Sequence, residues 1–278
     1  MVREIAINTY SYVWTMPAAA CAHHLVKRGY RQIEFLLQPP HLSFDDFGPA
    51  ARHDLRSALQ DAGLTKTAIN LPSLDHNLAS PFARVRDASV RMFADTIDLA
   101  ADIGADTVVV VPGRLSPLLP PSVADRTGWV GEGIARLLPR AEARGVCLAI
   151  ENIPFAAFPQ AAALERFVRG FTSSAIGACY DAANAHFVGE SPADGIGRLA
   201  DLLRIVHLSD TGRNVWRHDP IGTGTVPFME VAQALDAVGF EGACTLEIID
   251  RDPDAAILRS HQALVPLGFV PPPSGADA

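Results

Sequence analysis

A chain of 278 residues that is 49% hydrophobic and 19% charged can bury a large core, which excludes a disordered protein. With 31 acidic against 23 basic residues, the net charge of −8 argues against a nucleic-acid partner and for a small polar ligand. The longest apolar run, TVVVVPG, is far too short to cross a membrane, and Arg3 and Glu4 interrupt any leader-like start, so a soluble, cytoplasmic protein is expected.

Taken in chain order, eight short apolar or β-branched runs alternate with longer stretches of helical period. Strands are predicted at residues 4–8, 32–36, 66–70, 107–111, 146–151, 176–181, 204–209 and 243–248. Between the third and fourth lies ARVRDASVRMFADTIDLAADIGA. There Val85, Ala88, Met92, Phe93, Ile97, Ala100 and Ile103 recur at helical spacing, with arginines and aspartates largely on the other side. Several helical stretches stop at a glycine that leads into the next strand, at Gly29, Gly63, Gly104, Gly145 and Gly239. Strand–helix units of this size pair in parallel through right-handed crossovers. Eight of them predict an α/β protein, a single (β/α)8 TIM barrel over residues 1–270. No GxGxxG follows the first strand, which speaks against a doubly wound sheet. The tail 271–278, PPPSGADA, offers little to bury and is expected to be mobile. Cys21, Cys147, Cys179 and Cys244 form no CxxC pair and read as free buried thiols.

The later strands carry the chemistry. The fifth ends at Glu151, the sixth at Asp181, the seventh contains His207 and the eighth ends with Glu247. In a closed parallel barrel the C-terminal strand ends ring one mouth, so three carboxylates and one imidazole should converge there. Each alone is ordinary: a strand-end glutamate is often a salt-bridge partner, and a lone histidine a satisfied core residue. Together they would repel and raise one another's pKa values unless a positive charge lay among them. One divalent cation answers that need, and three oxygen donors with one nitrogen suit Mn2+, Mg2+ or Co2+, with Zn2+ also fitting.

The runs LAIENIPF, CYDAANAHF, VHLSDTGRNVWRHDPIGTGTVPF and TLEI resemble those of the sugar isomerase/epimerase superfamily with the xylose-isomerase-like barrel. That group includes D-tagatose 3-epimerase-like enzymes, inosose isomerases and dehydratases, and endonuclease IV. The resemblance covers essentially the whole chain. It implies that Glu151, Asp181, His207 and Glu247 ligate one metal ion, and that Glu151 and Glu247 also move protons. The implied reaction is isomerisation or epimerisation of a sugar or cyclitol by proton abstraction next to a carbonyl, through a metal-stabilised enediolate. With a leaving group on the next carbon, the same site would serve a keto-sugar or inosose dehydratase or lyase.

The resemblance places substrate contacts in the loop after the seventh strand, at His218 and beside it at Arg217, a candidate partner for a substrate oxygen or anion. Asn184 stands where many relatives carry histidine, and His186 could share its role. His76, after the third strand, could also reach substrate. Glu34 could form a hydrogen bond inside the mouth or a structural salt bridge. Tyr10, Tyr12, Trp14 and Trp216 could wall a sugar face. Gly222 and Gly224 predict a tight backbone path near the site. No basic cluster marks a phosphate subsite, so an unphosphorylated substrate is expected. Relatives of this barrel often pair, which adds a homodimer as an expectation.

Two other classes of function fit less well. The abasic-site endonuclease needs three metals, with further histidines after strands three and four and an Asp-x-His after strand seven. Here those positions read Asn70, Val111 and Trp216-Arg217-His218. A metal-free binding barrel would have no reason to keep four mutually repelling strand-end groups.

Overall fold

A computed structural model of the chain describes residues 3–44, 48–72 and 75–275. Eight parallel strands run in order: β1 (Ile5–Asn8), β2 (Gln32–Leu36), β3 (Lys66–Leu71), β4 (Thr107–Val110), β5 (Cys147–Glu151), β6 (Ile176–Asp181), β7 (Leu203–Leu208) and β8 (Ala243–Leu246). They close into a barrel, with β8 returning to β1 through Ile5↔Cys244, Ala6↔Thr245 and Ile7↔Leu246. The helices are α1 (Ala18–Lys27), α2 (Pro49–Asp61), α3 (Ala83–Ile103), α4 (Val123–Arg144), α5 (Ala161–Val168), α6 (Ala182–Phe187), α7 (Pro192–Leu199), α8 (Phe228–Ala237) and α9 (Pro253–Leu264). The predicted fold class is correct, and every strand boundary lies within two residues of its sequence expectation.

The side-chain alternation of the strands builds two apolar layers. Outward residues such as Ile33, Phe35, Val108, Leu148, Tyr180 and Leu208 pack beneath the helices. Inside the barrel the filling is small: Ala6, Val109, Ala149, Cys179, Ile205 and Ala243, with Ala68 against them. These short side chains leave the mouth above to larger polar groups. The five helix-stop glycines all adopt positive φ, as their positions predicted. Among the described residues, no helix is long and apolar enough to cross a membrane. All four cysteines are free thiols, three of them buried and Cys147 partly so.

The seam between first and last units has its own polar clasp. Asp254, in the first turn of α9, accepts from the Tyr12 hydroxyl at 2.6 Å and lies 2.8 Å from His24 Nε2 on α1. Arg28 Nη2 donates to the other carboxylate oxygen at 3.0 Å. Beyond α9, the chain returns along the end of α1, so close that a Cβ on Gly29 would fall 2.2 Å from the Pro273 side chain. Residues 276–278 lie outside the described residues.

Candidate metal centre and substrate pocket

Glu151, Asp181, His207 and Glu247 converge as their strand positions predicted. One donor atom from each lies within 4.8 Å of the others, and all four residues are buried. Their arrangement follows from the register: Asp181 stands beside His207, and Glu151 beside Cys179 two residues below Asp181. Glu247 lies one residue beyond β8, its N–H donated to Leu208 O at 3.2 Å. His207 Nδ1 faces Glu247 Oε2 at 3.2 Å, Glu151 Oε1 at 3.3 Å and Asp181 Oδ2 at 4.0 Å.

Each of these groups is oriented through its other polar atom. Glu34 Oε2 accepts from His207 Nε2 at 3.0 Å, which leaves the Nδ1 lone pair turned to the carboxylates. Glu34 is itself held by Asn8 and Asn70, whose amides donate to Oε1 at 2.7 and 3.0 Å. The same Asn8 amide reaches Glu247 Oε1 at 3.2 Å and leaves Oε2 facing His207. Asp181 caps α6, its Oδ1 accepting from Asn184 N–H at 2.6 Å. Asn152 brackets the Asp181 backbone with two hydrogen bonds of 2.7 and 3.0 Å. Asp181 Oδ2 and His207 Nδ1 remain buried without a hydrogen bond. Such atoms are costly in a protein interior, and a divalent cation bound by three oxygens and one nitrogen would satisfy both.

The electrostatics agree with this fit. Burial, with Glu247 and Asp181 nearby, pushes Glu151 up to about 8, although His207 opposes the rise. Burial also raises Asp181, against the charge of His218. For His207 burial works downward, yet Cys179, Glu34 and Glu247 hold it well above its ordinary value. Glu247 goes the other way: burial would raise it, but His207 and His218 outweigh that and lower it. Without a cation, then, the cluster holds protons where a positive ion would otherwise sit.

Above the cluster opens a cavity of about 530 Å3, within the usual range for small-ligand sites. Glu151, Glu247, Asn184, Arg217 and His218 line it. His218 Nδ1 is 3.0 Å from Ser209 Oγ and 3.4 Å from Glu247 Oε2, at the edge of the cluster. Arg217 is largely exposed and stands 3.7 Å from Asp219. Asn184 accepts the Trp216 indole N–H at 2.7 Å and so fixes an aromatic wall, with Trp216 edge-on to Phe155. The loop carrying these groups is organised by Asp210, which accepts from the N–H groups of Thr211, Gly222 and Val226. A Cβ on Gly224 would fall 2.4 Å from Asp210 Oδ1, so the tight path expected here is present at Gly224, whereas Gly222 contributes a turn at φ 92° with open space beside it.

His186 and His76 are not brought to this cavity. His186 is turned to Thr225 Oγ1 at 2.9 Å, and His76 packs edge-on against Phe93 with Nε2 at 3.3 Å from Leu71 O. Of the aromatic candidates, Tyr10 and Trp216 line the cavity; Tyr12 belongs to the seam and Trp14 is exposed. Sequence reasoning passed over Arg114, Phe155 and the orienting amides Asn8 and Asn152, and read Asn70 only as the absence of a histidine. Arg114 follows β4 and reaches the mouth: burial and Glu247 raise the Tyr10 phenol, while the Arg114 charge draws it down. Asn77 clasps the Arg114 backbone, donating to its carbonyl at 2.8 Å and accepting its N–H at 3.3 Å. Gly113 turns there with φ 100°, where a Cβ would fall 2.2 Å from Asn77 Oδ1, so only glycine fits. Leu115 N–H then donates to Phe155 O at 2.7 Å, and Phe155 itself holds φ 60°.

The chain is similar to several known proteins. A fructoselysine 3-epimerase of Escherichia coli O157:H7 is 25% identical over 250 residues, 85% of this chain and 87% of that protein. A probable endonuclease 4 of Mycobacterium tuberculosis is 29% identical over 219 residues, 72% of this chain and 82% of that protein. The crystal structure of a D-tagatose 3-epimerase-like protein superposes with a TM-score of 0.81 at 22% identity, covering 95% of this chain and 96% of that one. The sequence profile of the xylose isomerase-like TIM barrel matches residues 22–266. With its closed eight-stranded barrel and that match along most of its length, the chain belongs to the xylose isomerase-like TIM barrel family.

Proposed function

We propose that this protein is a divalent-metal-dependent epimerase or isomerase of a small sugar or polyol. The observation that carries the reading is the cluster of Glu151, Asp181, His207 and Glu247 at the floor of the cavity, with two of its donor atoms buried and unbonded. A cation held there supplies Lewis-acid polarisation of a carbonyl and its neighbouring hydroxyl. Glu151 and Glu247 line the cavity from the two ends of the β5–β8 arc, so one carboxylate can take a proton beside the carbonyl and the other return one. Return to the opposite face inverts a centre, and return to the adjacent carbon isomerises. Asn8 and Glu34 keep Glu247 and His207 aimed during that exchange. The names of the fructoselysine 3-epimerase and of the D-tagatose 3-epimerase-like fold neighbour support the same reading.

The endonuclease relative points to a different chemistry, but the residues at the diagnostic positions are otherwise engaged. Asn70 bonds Glu34, Val111 lines the cavity as an apolar group, and the Trp216 indole bonds Asn184.

Elemental analysis, with chelation and add-back during assays on a panel of ketoses in deuterated water, tests the proposal. The expected result is about one divalent ion per chain. Turnover should vanish and return with the ion, and solvent deuterium should enter the product beside the carbonyl. Glu151→Gln and Glu247→Gln should each cut kcat by about 10²- to 10⁴-fold. Two or three zinc ions per chain with cleavage of abasic DNA would overturn it, as would a protein that binds no metal on add-back.

A further inference from the structure

The charged side chains lining the cavity pair off with one exception. Glu151 and Glu247 belong to the metal cluster, His218 faces Glu247, and Arg217 is answered by Asp219. Arg114 also lines the cavity, yet its guanidinium makes no hydrogen bond or ion pair among the described residues. The backbone beneath it is fixed by the Asn77 clasp and by the Leu115–Phe155 hydrogen bond, so its side chain leaves a defined point on the mouth. Phe155 and Trp216, about half and two-fifths exposed, line the same cavity and offer an apolar face rather than an acid to complete the pair.

We infer that Arg114 anchors an anionic substituent on the substrate, a group remote from the carbons that react, and that the natural substrate is an acidic sugar derivative rather than a neutral ketose. A guanidinium presents a planar fork of N–H donors that matches a carboxylate in a bidentate pair. A phosphate would bind the same fork, but among the described residues the cavity's other arginine, Arg217, already faces Asp219, so a carboxylate is the better match. The aromatic face would lie along the carbon chain between the two ends. Held by its far end, the sugar would present its carbonyl to the metal centre in one register, and the pairing would act on selectivity more than on chemistry. This inference rests on the proposed function for the identity of the reacting end, though not for the binding of the anion.

The test uses the metal-loaded protein and two matched sets of probes. Calorimetry would compare binding of D-gluconate, D-glucitol 6-phosphate and neutral D-glucitol to the wild type, Arg114→Gln and Arg114→Lys. The wild type should favour an anionic probe over glucitol by about ten- to a hundredfold, the range of a charge-assisted hydrogen bond, with the preference shrinking as salt rises. Arg114→Gln should bring that ratio close to one, and Arg114→Lys should keep part of it. The gluconate and phosphate arms identify which anion the site favours. An anion preference that survives in Arg114→Gln would mean that the acid binds the metal centre instead, and overturns the inference; so does a wild type that binds all three alike. Assays of a ketose and its carboxylated counterpart separate this from the broader reading. Turnover of the neutral ketose without acid preference would sink only the anion subsite. Acid preference by calorimetry with every substrate inert would sink only the epimerase.

Discussion

Glu34 never faces the cavity, yet it decides which nitrogen His207 offers. Its carboxylate accepts the Nε2 proton, so Nδ1 is the donor aimed at Glu151, Asp181 and Glu247. Glu34→Gln should therefore weaken divalent-metal affinity by about 10- to 100-fold, measured by competition with a chromogenic chelator, while the circular dichroism spectrum stays unchanged. An unaltered metal Kd would show that His207 is aimed by its surroundings alone. The four clustered residues were legible because charged residues at successive strand ends make a pattern. The amides that orient them were not, since a buried asparagine such as Asn8 or Asn152 carries no charge and no period. Arg114 escaped for a related reason: it lies in the irregular stretch after β4, where no motif frames it. His76 and His186 misled because closeness to a strand end in sequence does not fix where a ring turns, and each found a nearer partner.

At the scale of elements, the barrel must hold its two ends together, and the clasp on Asp254 does so between α1 and α9. Removing the carboxylate in Asp254→Ala leaves the Tyr12 hydroxyl and Arg28 without this acceptor and should cost about 1–3 kcal/mol. A thermal melt would register that as a drop of several degrees. Burial works to raise the Asp254 pKa, but the hydrogen bonds from Tyr12 and His24 and the charges of His24 and Arg28 outweigh it and lower it. A depressed carboxylate contributes its full stability above its unfolded pKa, roughly 4, and loses it as pH falls below. The gap in stability between wild type and Asp254→Ala should accordingly narrow in acid; a constant gap from pH 7 to 3 would remove the electrostatic part of the clasp. The alternation of strand and helix, and the glycine stops between them, were plain in the sequence. This clasp was not, because it joins residues more than 220 positions apart and no local pattern links them.

For the molecule as a whole, the candidate metal centre would couple ion binding to the pH profile of stability. Without a bound ion, Glu151, Asp181 and His207 are all raised by their surroundings, so the fold favours protons that the unfolded chain releases. Groups with raised folded pKa values stabilise below their unfolded values, and that contribution is lost as pH climbs toward the folded ones. The melting temperature of the chelated protein should thus fall from about pH 5 to pH 8, the upper end being where Glu151 titrates. Saturating Mn2+ should reverse the trend, because the ion displaces those protons and binds more tightly as pH rises. Parallel curves with and without metal would mean that the ion binds elsewhere.

The loops after β3, β4 and β5 are tied to one another through Asn77, Arg114, Leu115 and Phe155. A wall ordered in advance has little freedom left to surrender when a ligand arrives. Binding should then show the negative heat-capacity change of covering the Phe155–Trp216 face, without the large unfavourable entropy of a segment that folds over its guest. In that respect the mouth should behave as a lock already cut, with its selectivity written into the enthalpy of a few fixed contacts.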